Sequence, residues 1–219
     1  MNQFAVIGLG RFGMATSLEL MRLGNTVIGV DTDAKLVNEV AEYLTVSVVA
    51  DATDESSLKE LDIINCDAVL VAIGESLEAS ILCVLVLKTL GVKQIWVKAT
   101  SQPHHTILSR LGVSRIIHPE EEMGVRAAQS LNYPMVNQYL SIGNGIYIVE
   151  IEIEAHCHDI SIGKLLGKAK GKIEPLLIRR RESIIKNVDG ETLLEKNDSL
   201  VLSGEISALK KIVPEFIAR

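Results

Sequence analysis

Phe4-Ala5-Val6-Ile7-Gly8-Leu9-Gly10-Arg11-Phe12-Gly13 is the stretch that decides the fold of this chain. An apolar strand runs into Gly8-x-Gly10-x-x-Gly13, and a helical pattern begins at once. Gly8 permits a tight turn, Gly10 lets a pyrophosphate approach the backbone, and Gly13 lets the helix pack closely on the strand. The free N–H groups at the helix start then face phosphate, and the helix dipole favours negative charge there. The next apolar run, Thr26–Val30, ends in Asp31, near the spacing of an acid that binds ribose hydroxyls. Asp31 repels a 2′-phosphate, which disfavours NADP.

Arg11, inside the loop, changes the functional reading. A long cation there stands beside the phosphates and can grip a terminal phosphate, or that of a neighbouring subunit's ligand. Hydride transfer has no obvious need for it. The plainer alternative is a solvated arginine, although a bare cation is unfavourable at that end of a helix.

Outward from this segment, apolar runs alternate with helical patterns up to about residue 131. The runs are Phe4–Gly8, Thr26–Asp31, Thr45–Ala50, Ala68–Ile73, Gln94–Ala99 and Arg115–His118. Helices are expected near 12–23, 33–42, 54–61, 76–90, 102–111 and 120–131. Continuous apolar strands fit a parallel sheet buried on both faces. Six of them in this rhythm predict a Rossmann-like, doubly wound α/β sheet in the order 3-2-1-4-5-6.

Residues 132–145 are rich in turn formers, including Pro134, Gly143, Asn144 and Gly145, and read as a boundary between domains at 1–135 and 136–219. Beyond it, Tyr147–Glu154 alternates as a half-exposed strand. A short helix near 161–168, strands near 175–179, 183–187 and 199–203, a turn at Asp189-Gly190 and a helix at 205–213 complete a small α+β domain.

Of 219 residues, 47% are hydrophobic, ample for a core, and 4% aromatic. Cys66, Cys83 and Cys157 are odd in number and lack metal spacing, which suits a reduced, cytoplasmic compartment. No signal peptide is visible, and Ile81–Leu87 is far shorter than the roughly 20 apolar residues of a membrane span. Residues 1–131 carry 10 basic and 16 acidic side chains, and the remainder 12 of each, so no nucleic-acid footprint exists.

These segments together resemble the regulator of potassium conductance (RCK, or KTN) family, with its TrkA-N and TrkA-C domains. The carrying residues are the Gln3–Gly13 segment, Val30-Asp31, Ala50-Asp51-Ala52-Thr53, Val71-Ala72-Ile73-Gly74, Ile95–Ala99 and Ile116–Glu120. The likeness is greatest to cytosolic regulatory subunits of Ktr/Trk-type bacterial potassium uptake systems. It implies a non-enzymatic gating ring, an octamer beneath a membrane potassium-translocating partner, whose shape responds to ATP, ADP or NAD(H). It places Arg11 and Lys98 at phosphate, Asp31 at ribose and Asp51 near adenine. Gly8, Leu9, Gly10, Phe12, Gly13, Ala52, Ala72, Ile73 and Gly74 complete the implied nucleotide set. Glu120 is implied to help hold Mg or Ca beside the phosphates. The likeness leaves open a cyclic dinucleotide or cation on the C-terminal domain.

Plainer readings stand beside these. Asp31 and Asp51 each suit a helix-capping carboxylate, and Glu120-Glu121-Glu122 suit a first helical turn without metal. His104-His105 reads as a surface pair. His156 and His158 would share one strand face, with too few ligands for a closed zinc site. Residues 79–87 are apolar nearly all round, which suggests a second partner surface, as do the small Gly124, Ala127 and Ala128. The competing function is an NAD-dependent oxidoreductase, yet no clustered acid/base set follows residue 135. An RCK module serving another channel or antiporter differs only in its partner.

Overall fold

The computed structural model describes residues 2–132, 136–169, 171–212 and 216. The chain forms two compact units, Met1–Glu121 and Glu122–Arg219. In the first, β1 (Gln3–Ile7), β2 (Thr26–Asp31), β3 (Val46–Val49), β4 (Ala68–Val71), β5 (Ile95–Lys98) and β6 (Arg115–Ile117) make one parallel sheet. Its order is β3-β2-β1-β4-β5-β6, as the βα rhythm requires. The connecting helices are α1 (Arg11–Arg22), α2 (Ala34–Val40), α3 (Glu55–Glu60), α4 (Leu77–Thr89) and α5 (Gln102–Leu111), followed by α6 (Pro119–Asn132).

Strand alternation explains why both faces are apolar. Ala5 and Ile7 pack with Ile28, Val30, Val69 and Val71 on one side. Val6 packs with Val27, Val37 and Val40 on the other. Full burial of Leu58, Leu87 and Leu108 contributes about 1.5–3 kcal/mol each.

Among the described residues, four helices begin with a side-chain cap: Asp33 accepts from the Lys35 N–H, Asp54 from Ser57, Ser76 from Ala79 and Ser101 from His104. The Ser56 and Ser57 hydroxyls and the Ser57 N–H hold the Asp54 carboxyl down to about 2. Its folded value thus lies below that of an unfolded aspartate, about 3.9. The resulting stabilisation is complete above that unfolded value and disappears as pH falls toward about 2. Acid unfolding of wild type and Asp54→Asn, which still caps but does not titrate, should converge across this window. A constant difference would contradict the assignment.

Helix α4 buries Cys83, Val84 and Leu87 but leaves Leu77, Leu82 and Leu85 42–43% exposed. Its all-round apolar sequence therefore serves the core on one side and presents an apolar face to solvent on the other. Helix α6 is exposed from Glu120 through Ala128, Met123 and Val125 included.

The second unit is an antiparallel sheet of β7 (Val136–Gly143), β8 (Ile146–Glu152), β9 (Ile173–Arg180), β10 (Ser183–Ile185) and β11 (Ser199–Glu205) in the order β10-β9-β11-β8-β7. Helices α7 (Ile162–Leu166) and α8 (Ile206–Ile212) accompany it. Val149, Ile151, Ile162, Leu200, Leu202, Leu209 and Phe216 form its core.

Two expectations are corrected here. Much of the supposed boundary loop is strand β7, paired with β8 across Asn144 and Gly145, whose φ values are 51° and 73°. Asn-Gly with both residues at positive φ makes a two-residue hairpin turn, so those turn formers join strands rather than domains. Pro134 lies outside the described residues. Ala155–Cys157 forms a 3₁₀ turn, which removes the strand alternation proposed to align His156 with His158, and Cys157 is buried.

Candidate functional site

The site grows from the carboxyl ends of β1, β2 and β4, where a doubly wound sheet opens a crevice. The strand ends are tied together by Gly8 N–H donating to the Val30 carbonyl at 2.8 Å and Ala72 N–H donating to the Ile7 carbonyl at 2.7 Å. Gly8 sits at φ +96°, and a Cβ there would lie 2.9 Å from Ala72 carbonyl carbon and Ile73 nitrogen. Only glycine turns the chain in that space. A Cβ on Gly13 would meet the Gly8 carbonyl oxygen at 1.8 Å, whereas one on Gly10 would meet nothing within 4 Å. Gly13 thus closes helix onto loop, and Gly10 leaves the loop's outer side open.

Helix α1 differs from the capped helices. Gly10 is its N-cap, no side chain caps it, and its first turn holds no acid. Its leading amides are therefore available to an anion. The adjoining cleft has a volume of about 290 Å³ and brings together Gly8, Gly10, Asp31, Asp51, Ala52, Ala72, Ile73 and Gly74 of the expected set. Leu9 and Gly13 lie behind the loop: Leu9 is buried in the core and its N–H is held by Asp31.

Asp31 does not cap α2, which is the task of Asp33. Its carboxylate accepts the Leu9 N–H at 2.6 Å and the Asp33 N–H at 2.9 Å, so it locks the glycine loop against β2. Asp51 does not cap α3 either. It accepts both the N–H and the hydroxyl of Thr53, at 2.8 and 2.7 Å, and Asp54 supplies the cap. Both aspartates remain on the cleft wall.

Arg11, Lys98 and Glu120 stand beside the cleft rather than in its lining. Lys98 pairs with Glu120 at 2.5 Å, and its ammonium lies 6.0 Å from the Phe12 ring centre. A Cβ on Gly74 would come within 3.3 Å of that ammonium, which places it against the cleft's Gly74 rim. The Lys98 ammonium, chiefly, and the field of Arg11 hold the Glu120 carboxyl below the ordinary carboxylate range. Arg11 is exposed on the first residue of α1.

No group of three or more His, Cys, Asp or Glu among the described residues could hold a metal ion. Glu120 alone fits a divalent cation only as one oxygen ligand in a shell completed by phosphate and water. The three cysteines are buried. Burial pushes the thiols of Cys66 and Cys83 up to about 11 and about 12, so neither is a nucleophile. No described helix is long and apolar enough to cross a membrane.

The surface-pair reading of His104-His105 is overturned. His104 is fully buried, because it falls on the inner side of α5 four residues before buried Leu108. Thr100 N–H donates to its Nδ1 at 3.3 Å, which leaves the ring proton on a buried Nε2 without a partner. Burial, and then the nearby His118, lower its pKa. His105 Nδ1 lies 2.8 Å from His118 Nε2, with the rings stacked at 5.1 Å. That pairing was missed in the sequence. The two residues are 13 apart and no short-range spacing signals them. Thr32, Asp33, Glu75 and Ser76 also line the cleft and had no motif of their own.

Comparison with known proteins agrees with this architecture. Residues 4–119 match the TrkA-N domain family. The chain is 40% identical to Ktr system potassium uptake protein A of Bacillus subtilis (strain 168) over 214 residues, covering 98% of this chain and 96% of that protein. It is 36% identical to the Vibrio alginolyticus protein of the same name, covering 93% and 92%. A solved GsuK channel superposes over the whole chain with a TM-score of 0.65 at 16% identity, although the chain spans only 40% of that protein. Glycine loop, strand order and near-full-length identity converge: the protein belongs to the TrkA-N, or RCK/KTN, family, alongside the Ktr potassium uptake proteins.

Proposed function

We propose that this protein is a cytoplasmic, nucleotide-sensing regulatory subunit of a membrane potassium-translocating system, not an enzyme. Its domains would be a nucleotide-binding domain at 1–135 and a TrkA-C domain at 136–219. The observation that carries the reading is the uncapped start of α1 at the open edge of a 290 Å³ cleft, with Asp31 on its wall and Lys98 at its rim. Ribose fits the Asp31 side, adenine the Asp51–Ala52 side, and phosphates the α1 start near Arg11 and Lys98. The names of the relatives, potassium uptake proteins of near-equal length, support the transport role.

ATP and ADP are the proposed ligands. NAD(H) is the second choice, since a GsuK channel of the same fold is described as bound to NAD. Mg or Ca would join Glu120 and the phosphates. The exposed apolar face of α4 and the solvated α6 support homo-oligomerisation, proposed as an octameric ring. Ligand identity would shift the ring between shapes through differential affinity, with coupling of about 1–3 kcal/mol per linked site.

Calorimetry with ATP, ADP, NADH and NAD, alongside light-scattering mass, tests this. Arg11→Ala should weaken ATP about tenfold, the loss of one charge-assisted contact, and ADP less. A monomer that binds only NAD(H) and oxidises NADH with a small substrate would replace this reading with the oxidoreductase.

A further inference from the structure

We infer that His105 is a positioning residue that holds Glu120 on Lys98 and thereby withholds the site's ammonium from an incoming phosphate. The inference rests on the nucleotide reading above.

Three contacts converge where β6 passes into α6. Ala99 N–H donates to the Ile117 carbonyl at 2.9 Å, Lys98 binds Glu120 at 2.5 Å, and His105 meets His118 at 2.8 Å. The first joins adjacent strand ends and cannot move without breaking the sheet. The third comes from α5 and reaches the residue just before Pro119, the first residue of α6. Pro119 fixes φ and stiffens the short link from His118 to Glu120. Holding the His118 ring therefore helps fix where the Glu120 side chain starts.

Where Glu120 stands has an electrostatic consequence. The Lys98 side chain is only 12% exposed, whereas that of Glu120 is 69% exposed. The lysine is confined beside Gly74 and Phe12, and the glutamate is the partner with room to swing away. While Glu120 occupies Lys98, an arriving phosphate meets a neutralised cation and a nearby carboxylate. Release of Glu120 exposes a positive charge at the rim. The His105–His118 contact is thus an autoinhibitory latch on phosphate binding, strongest when no divalent cation is present to bridge carboxylate and phosphate.

The test is calorimetry of the purified full chain with ATP, ADP, AMP and adenosine in chelator, at one pH. His105→Ala and Glu120→Gln should each raise ATP affinity roughly three- to fivefold, the scale of a partly exposed ion pair. The gain should shrink with each phosphate removed and vanish for adenosine. The double variant should match Glu120→Gln alone, because both act through one contact. His105→Asn, whose amide stands at the same distance from the backbone as Nδ1, should stay at the wild-type value. His118→Ala removes the same contact from the other side, together with its 3.9 Å approach to Glu121, and should likewise raise ATP affinity. General damage to α5 would lower affinity, not raise it. Unchanged or lowered ATP affinity in His105→Ala, an equal change for adenosine, or an additive double variant would each overturn the latch alone. Wild-type protein that binds no adenine nucleotide would overturn the nucleotide reading and the latch with it.

Discussion

Gly13→Ala is expected to cost the first unit about 3 kcal/mol or more of stability and to weaken nucleotide binding at least about a hundredfold. The added methyl would stand 1.8 Å from the Gly8 carbonyl oxygen and 3.0 Å from its carbon. Neither is the end of a flexible side chain. Relief demands that α1 withdraw from β1 or that the Gly8 turn rearrange. Gly13 is fully enclosed, with Val6 next in line at 3.3 Å, so withdrawal also opens the core on that face. Rearrangement of the turn instead disturbs the Leu9 N–H held by Asp31. Gly10→Ala is the matched control: its Cβ meets nothing within 4 Å, so stability should hold while phosphate approach alone suffers. Thermal unfolding and calorimetry on both variants separate the two glycines. Wild-type stability in Gly13→Ala would show that helix and loop are not in the contact described here.

Arg180→Ala should destabilise the second unit by about 3–5 kcal/mol, the cost of leaving a buried charge without its partner. Asp198 is 1% exposed, and Arg180 donates to both its oxygens, at 2.9 and 2.8 Å. The same guanidinium also reaches Glu195 at 2.7 Å and the Leu193 carbonyl at 2.9 Å. One side chain on β9 thereby pins the segment that leads into β11. Lysine cannot reproduce this planar fork, so Arg180→Lys should recover only part of the loss. Arg180→Met with Asp198→Leu removes both charges and should recover more than Arg180→Ala with Asp198 intact. Denaturant unfolding followed by a probe in the second unit checks the series. A loss below about 1 kcal/mol, the scale of an exposed pair, would mean that Asp198 is hydrated in solution.

Spacing reveals the first of these effects in part and the second not at all. The demand for glycine at position 13 is local: the chain must turn back on itself within a few residues, and the motif announces it. That the obstructing atom is the Gly8 carbonyl oxygen requires coordinates. Arg180 in the run Arg179-Arg180-Arg181 looks like a solvated charge cluster. Strand alternation sends Arg180 toward Asp198, while Arg179 pairs with Glu150 at 2.6 Å.

The first unit's plan was legible because its strands are mostly apolar and α2, α3, α4 and α5 each carry a capping residue at their start. That consistency between local pattern and global packing leaves one arrangement favoured. The turn formers at 143–145 misled because the same residues serve a hairpin and a domain linker, and only pairing with β8 distinguishes them. At the site, the glycine loop, Asp31 and the apolar strand ends follow from local sequence. Burial of His104, its neighbour's contact with His118 and the capture of Lys98 by Glu120 do not. Backbone periodicity repeats within a few residues, so sequence alone determines strands, helices and the glycine loop. Contacts between side chains on different elements depend on how those elements pack, and only the tertiary structure decided which charges in the first unit stand paired beside the cleft.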